Sequence, residues 1–397
     1  MTEALELPLE IRRNGFHPAE ELLRARDEEG VVRVVTPFGV PAYLVCRYED
    51  VREVLADSTR FSNARTQLAG FDDLDEDEER RARAGHLLTL DPPEHTRLRR
   101  MLTPEFTMRR MRRLEPRIVE IVGMALDDLE RAGQSADLVA HFALPVPSLV
   151  ICELLGVPYA DRAAFQDRTA RMLDMALPAE QRNAAERESR AYMAALVARA
   201  QAEPGEDMLG MLVREHGDDL STDELTGIAS FLLLAGHETT ANMLGLGTLA
   251  LLRHPDQLAL LREDPARIES AVEELLRWLS IVPAVQPSTT TTEVEIAGHT
   301  IPAGSLVMTS FPAANRDGSF VERPDTLDLT RKATGHLAFG HGVHHCLGAP
   351  LARMEMRIAF PALLSRFPGL ALADPDGPAD FRVSSLVYGL KSLRVTW

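Results

Sequence analysis

The chain has 397 residues, 45% of them hydrophobic but only 5% aromatic, so a large core is available and must be built mainly from Leu, Ala, Val, Ile and Met. Its 60 acidic residues against 43 Lys and Arg give a net charge of −17, which excludes wholesale wrapping of nucleic acid or docking on anionic lipid, since both need a positive face. Three widely spaced cysteines, Cys46, Cys152 and Cys346, exclude a disulfide framework, point to a reducing cytoplasm and leave a thiol free for chemistry.

In chain order, Met1 to Glu10 has no basic region ahead of an apolar stretch and does not read as a signal peptide. No run approaches the roughly 20 apolar residues that span a bilayer. Residues 31–45 read as two strands about a Pro37-Phe38-Gly39 turn, and a helical pattern follows at Asp50–Leu55. Asp72 to Arg83 is a dense charged run that reads as a solvated loop or frayed helix. From Leu114 onward the pattern is helical, punctuated at Pro145, Pro158, Pro178 and Pro204-Gly205. No repeat or low-complexity linker divides the chain.

One helix stands out. Ser221 and Glu224 match a capping box, and the apolar pattern then runs to Leu252 before His254-Pro255 ends it. That is about 45 Å of helix, apolar on nearly all faces and therefore central. In its middle sit Ala235-Gly236-His237-Glu238-Thr239-Thr240. A helical Gly costs about 1 kcal/mol, and an acid beside two Thr ill suits a buried helix. Such a local conflict marks a site. A second helix, Pro265 to Trp278, places Glu274 and Arg277 on one face, by itself an ordinary ion pair. The β signal returns only at Thr292–Phe311, so the fold class is mainly α with small β-sheets (α+β).

The stretch Phe339-Gly340-His341-Gly342-Val343-His344-His345-Cys346-Leu347-Gly348 leads through Ala349-Pro350 into an apolar helix. Pro350 suits a first helical turn, so Cys346 sits just before a helix N-terminus, whose dipole and free amides favour a thiolate. Gly340, Gly342 and Gly348 would let the loop approach a flat ligand without Cβ clashes. A lone Cys is more commonly a small buried hydrophobe. A zinc site is the other alternative, although adjacent His344, His345 and Cys346 cannot readily all point at one tetrahedral ion.

The Phe339–Gly348 stretch resembles the haem-binding loop of the cytochrome P-450 family, and the likeness extends over essentially the whole chain. It is nearest to soluble actinomycete members in Phe142–Pro147 and Gly156–Pro158. The resemblance implies a single-domain cytochrome P-450 fold over residues 1–397, holding one haem b (iron protoporphyrin IX) with Cys346 on the iron. Phe339, Gly340 and Gly348 would flank the haem on the Cys side, and Ala235 and Gly236 on the other. Glu274 and Arg277 would form a buried structural pair. Glu238 and Thr239 fall on the family's oxygen-activation motif as acid and alcohol, a pair able to relay protons; back-bonding to a helix carbonyl is the plainer reading for Thr240. His95 and Arg99, which share a helix face, would hold the haem propionates together with His344. Ser288 stands where the family usually has a further propionate-binding Arg.

The implied activity is insertion of one oxygen atom from O2 into a small molecule, as in secondary-metabolite tailoring or drug oxidation. A peroxide-driven or non-hydroxylating member and a non-catalytic haem sensor are the alternatives. By resemblance, Leu232, Ala235, Val282–Val285 and Leu386–Val387 would line an apolar pocket for a hydrophobic substrate. Asn63–Leu88 and Phe165–Glu188, weakly patterned, would form its lid. Arg97, Arg99, Arg100, Arg109, Arg110, Arg112, Arg113 and Arg117 stand against only Glu105 and Glu115 in that stretch. The cluster reads either as a docking face for an acidic ferredoxin, served by a ferredoxin reductase, or as a solvated face with internal ion pairs. No flavin or nicotinamide domain is evident, so electrons are expected from a separate protein.

Overall fold

A single central helix organises the molecule. The computed structural model describes residues 7–36, 39–66, 80–81, 83–284 and 287–397. In it the central helix runs Thr222–Arg253, 32 residues or about 48 Å. The capping box forms as expected: Ser221 Oγ accepts from the Glu224 amide at 3.1 Å, and the Glu224 carboxylate accepts from the Ser221 amide at 2.8 Å. Every residue from Ala241 to Leu251 is buried, as an all-round apolar surface requires. Helices Pro145–Leu155, Ala179–Ala202, Ile268–Leu279 and Ala349–Arg366 pack against it.

To one side lies a five-stranded sheet in the order Val31–Val35, Pro41–Val45, Leu306–Thr309, Ser288–Thr290, Phe61–Ser62. The first two strands form the expected hairpin, with Val31 opposite Val45 and Val35 opposite Pro41; Pro37 and Phe38 lie outside the described residues. Leu306–Thr309 pairs parallel with Pro41–Val45, and the other pairings are antiparallel.

Two expectations need correcting. Strands also occur before and after the expected β region, at Ala136–Asp137, Ala371–Leu372, Asp380–Phe381, Leu390–Ser392 and Arg394–Thr396, and the region itself opens at Ser288. Elements of two or three residues are too short to show an alternation. The Phe165–Glu188 stretch is two well-formed helices, Arg162–Leu173 and Ala179–Ala202, joined by a short turn. Their buried stripes are Phe165, Thr169 and Leu173, and Ala185, Ser189 and Met193. That is helical spacing carried largely by small or polar residues, hence the weak pattern. The charged run from Asp72 falls mostly outside the described residues.

Glu274 and Arg277 form the expected pair at the heart of the molecule. Arg277 Nε and Nη2 donate to the Glu274 carboxylate at 2.7 and 2.8 Å. The remaining guanidinium donors reach the carbonyls of Asn315, Pro324 and Thr326. Glu274 also accepts from the Asp328 amide and Arg331 Nε. The pair thereby fixes the irregular segment 315–331 that precedes the Cys346 loop. Next to it, Glu273 binds Arg353 in a two-point contact of 2.7 and 2.8 Å and His336 at 3.2 Å, tying the same helix to both flanks of that loop. No helix among the described residues is long and apolar enough to cross a membrane.

Candidate active site

Between the central helix and the Cys346 loop lies a cavity of about 320 Å³. Ten of the residues expected to act in catalysis or hold the haem line it: His95, Arg99, Ala235, Gly236, Thr239, Phe339, Gly340, His344, Cys346 and Gly348. The rest of its wall is chiefly apolar, including Leu87, Leu88, Leu173, Phe231, Leu232, Ile281, Val282 and Val387. Pro283, Ala284 and Leu386 do not reach it, and Val285 lies outside the described residues.

Cys346 is placed by the loop and the helix it starts. Its amide donates to Phe339 O at 2.8 Å, closing the loop. Burial pushes the thiol up, opposed by the amides of Gly348 and Ala349 at the N-terminus of helix Ala349–Arg366 and by Arg99 and Arg353. A bare thiolate is therefore disfavoured, and a metal cation on the sulfur would supply the missing stabilisation. Cys46 and Cys152 are buried in the core, where desolvation pushes each up to about 12, so they are inert. Among the described residues no group of three or more His, Cys, Asp or Glu is placed to hold a metal ion.

The glycines divide by role. Gly340 and Gly348 face the cavity. Gly342, expected to do the same, is required by packing instead: its φ is +69°, and a Cβ there would meet Leu55 O at 2.1 Å. A Cβ on Gly236 would meet the Ile151 side chain at 2.7 Å, so this glycine lets helix Pro145–Leu155 close on the central helix at the cavity wall.

His95 and His344 meet edge to face with ring centroids 4.4 Å apart. All four of their ring nitrogens are buried without a hydrogen-bond partner among the described residues. Burial pushes His95 down, and His344 to about 4. Arg99, beside them, donates to His345 O and lashes its helix to the Cys346 loop. Unpartnered buried polar groups are costly, and both of these rings line the cavity that Cys346 also lines. They suit the two carboxylates of haem b, just as Cys346 suits its thiolate-ligated iron. Ser288 takes no part: its hydroxyl donates to Asn63 Oδ1 at 2.7 Å, off the cavity wall.

Glu238, singled out with Thr239 as the catalytic pair, does not line the cavity with it. It is buried (3% exposed) but lies off the cavity wall, accepting from Arg382 Nη1 at 2.7 Å and Asn242 Nδ2 at 3.3 Å. A second, smaller cavity of about 230 Å³ adjoins it, lined also by Gln166, Asn242, Arg382 and Lys391. Thr239 Oγ1 donates to Ala235 O at 2.8 Å, so the back-bond expected of Thr240 is made by Thr239. Arg382 and the cavity-lining Glu355 were not anticipated. Glu355 carried the same signal as Glu238, an acid inside an apolar helix.

The arginine cluster also divides. Arg97 pairs with Glu224, Arg110 with Glu105, and Arg117 with Glu120 and Glu153. Arg100, Arg109, Arg112 and Arg113 are exposed and pair with no acid among the described residues.

A family model described as Cytochrome P450 matches residues 9–193 and 179–378. The chain is 58% identical over 400 residues, the full length of both proteins, to Cytochrome P450 FAS1 of Rhodococcoides fascians. Among solved structures it is similar to P450 StaH from glycopeptide antibiotic A47934 biosynthesis, with 45% identity and a TM-score of 0.87 over 99% of this chain and 100% of that one. The likeness to CYP105P1 in complex with filipin I has 39% identity and a TM-score of 0.90 over 99% of each chain.

Proposed function

Since the chain belongs to the cytochrome P450 family of haem b monooxygenases, we propose that it inserts one oxygen atom of O2 into a bulky, largely hydrophobic small molecule, with electrons supplied by a ferredoxin and its reductase. The observation that carries this reading is one cavity with three kinds of lining: Cys346, the group His95, Arg99 and His344, and almost wholly apolar side chains elsewhere. Haem b, when bound, supplies oxygen activation at an iron whose thiolate ligand favours O–O cleavage.

The chain's own residues do the rest. Cys346 ligates, while the Gly348 and Ala349 amides temper its charge. His95, Arg99 and His344 hold the propionates by charge-assisted hydrogen bonds. The apolar wall excludes water and orients a substrate mainly by shape, in keeping with relatives tied by name to a glycopeptide antibiotic and to filipin I. Thr239, its proton given to Ala235 O, offers the cavity an acceptor that steers a proton-bearing water. Glu238 is the acid behind it and moves protons inward when it leaves Arg382. Arg100, Arg109, Arg112 and Arg113 form the docking face for an acidic ferredoxin.

Reduced protein with carbon monoxide tests Cys346 as the iron ligand: thiolate ligation gives a strongly red-shifted Soret band. Cys346→His should lose the band, whereas Cys46→Ala and Cys152→Ala should keep it. A band unchanged in Cys346→His would refute the assignment. A blue shift of the resting Soret band on titration with hydrophobic metabolites would identify the substrate class.

A further inference from the structure

Arg353 carries a charge that the reading above does not use. It stands in the second turn of helix Ala349–Arg366, which begins just after Cys346. Its guanidinium lies over the Phe339 ring, 4.5 Å from the centroid. Phe339 lines the cavity, and its carbonyl accepts the Cys346 amide at 2.8 Å. Both hydrogen bonds that Arg353 makes among the described residues go instead to the Glu273 carboxylate, at 2.7 and 2.8 Å. The guanidinium therefore meets the Cys346 loop through a ring face and through its charge.

Its neighbours hold that charge in place. His336 Nδ1 accepts the Ala338 amide at 3.2 Å, so the imidazole proton sits on Nε2, which meets Glu273 at 3.2 Å. Arg357 approaches Glu273 at 3.8 Å but has a second acid in Glu269 at 3.5 Å. Of the three basic residues around Glu273, Arg353 alone is seated on the ring that lines the cavity. A two-point grip on a planar guanidinium fixes its orientation as well as its distance. The charge is also felt at the sulfur, where Arg353 and Arg99 both favour the ionised form of Cys346.

We propose that Arg353, gripped by Glu273 over the Phe339 ring, sets the reduction potential of the haem and with it the ease of the first electron transfer. The inference rests on the haem-site reading above. In that step one electron leaves the reduced ferredoxin for the iron, which passes from ferric to ferrous. No bond is made or broken, and the site gains one negative charge. A fixed positive charge nearby favours the more negative state, so Arg353 raises the potential and the acid that grips it limits the rise. Arg353 is thus a positioning residue for electron transfer that acts through the Cys346 loop.

A redox titration of the holoenzyme, followed at the Soret band without ferredoxin, reads the potential directly. Arg353→Gln should make reduction about tenfold less favourable, a midpoint lower by about 59 mV for one electron. Glu273→Gln, which removes the opposing charge and leaves Arg353, should move the midpoint upward by about threefold in the same equilibrium. Arg353→Lys keeps the charge and should hold the midpoint close to wild type. The opposite signs are the test, because simple loosening of the loop would move Arg353→Gln and Glu273→Gln the same way. Shifts of one sign, or no shift in Arg353→Gln, overturn the proposal. So does an unchanged midpoint with slower reduction by ferredoxin, which would make Arg353 a docking residue. Loss of haem in Arg353→Gln and Arg353→Lys alike would make it structural and overturn the proposal too. Absence of the thiolate–carbon monoxide band in wild type would instead sink the haem reading.

Discussion

Glu274–Arg277 and Glu238–Arg382 are both carboxylate–guanidinium contacts of 2.7 Å whose acids stand on helices that line the same cavity, but their surroundings differ. Neither side chain of the first pair is exposed, all five N–H groups of Arg277 have acceptors, and Glu274 accepts from two further donors. In the second pair Arg382 is 19% exposed, meets Glu238 through one nitrogen, and has a cavity of about 230 Å³ alongside. A pair with every valence used and no adjacent space has only one arrangement and fixes a shape. A contact made through one Arg nitrogen beside a void has somewhere to go, which is what the proton-relay role proposed for Glu238 requires. The chemistry of the partners is the same; what differs is how fully their neighbours satisfy them.

The largest effect should come from breaking the satisfied pair. Arg277→Ala leaves Glu274 buried and three backbone carbonyls unpaired, a loss of about 3–5 kcal/mol that should leave little folded, haem-retaining protein. Replacing both residues with Leu and Met should do less damage than the single change, since the buried Glu274 charge goes with its partner and only Arg331, which keeps its contacts to the Glu322 and Arg323 carbonyls, loses an acid. Urea unfolding of the three proteins measures this, and a single variant as stable as wild type would contradict it.

The other pair should respond in rate and leave the fold intact. Glu238→Gln should keep the haem spectrum and melting temperature yet turn over about 10²-fold more slowly, the range for losing a positioned acid. Thr239→Ala should bind substrate normally but divert reducing equivalents to hydrogen peroxide, read as product formed per NAD(P)H consumed. Normal coupling in Thr239→Ala would move the proton-steering role to Thr240.

How much of this was readable beforehand depends on the range of the interaction. The capping box at Ser221, the long, mostly apolar run behind it and the hairpin at 31–45 are local patterns, and they appear where expected. His95, Arg99 and His344 were picked out through family motifs, and the structure adds that all three line the cavity and that the ring nitrogens of the two histidines are unpartnered among the described residues. Contacts between distant segments were not legible. Arg382 reaches Glu238 across 144 positions, and Arg353 reaches Glu273 across 80. The chemical type of an Arg in a loop does not say which acid it will meet. Gly342 failed for the same reason, since its constraint is a carbonyl on a helix that ended at Ala56.

Between the extremes lies the Glu273 contact with Arg353 and His336. Burial raises this carboxyl, but hydrogen bonds from Arg353 and His336 outweigh it and hold the group at about 2. Arg357 also faces it at 3.8 Å. A depressed acid contributes its stability above its unfolded value, near 4.5, and loses it as pH falls toward 2. Glu273→Gln should therefore cost of order 1–3 kcal/mol at pH 7 and progressively less below pH 4.5. A difference between the two proteins that stays constant from pH 7 to pH 3 would show that the charge is immaterial.

The smallest effect is expected at Arg117, although it has the most partners of any arginine in the basic cluster. It donates to Glu120 at 2.5 Å, to Glu153 at 3.1 Å and to the Tyr159 hydroxyl at 2.6 Å. All of these partners are open to solvent, where water competes for each charge and ordering a long side chain offsets the gain. Arg117→Ala should cost about 1 kcal/mol or less. Because its charge is already answered by two acids, its removal should also leave the rate of reduction by ferredoxin nearly unchanged. Arg109→Glu or Arg112→Glu should slow that reduction without altering substrate affinity, since these charges pair with no acid among the described residues and so remain available to a partner. Added salt should erase most of the difference, because the screening length shrinks to about 3 Å at 1 M. Equal slowing in Arg117→Ala and Arg109→Glu would mean that net charge alone guides the encounter. A rate indifferent to Arg109, Arg112 and salt would place docking on another face.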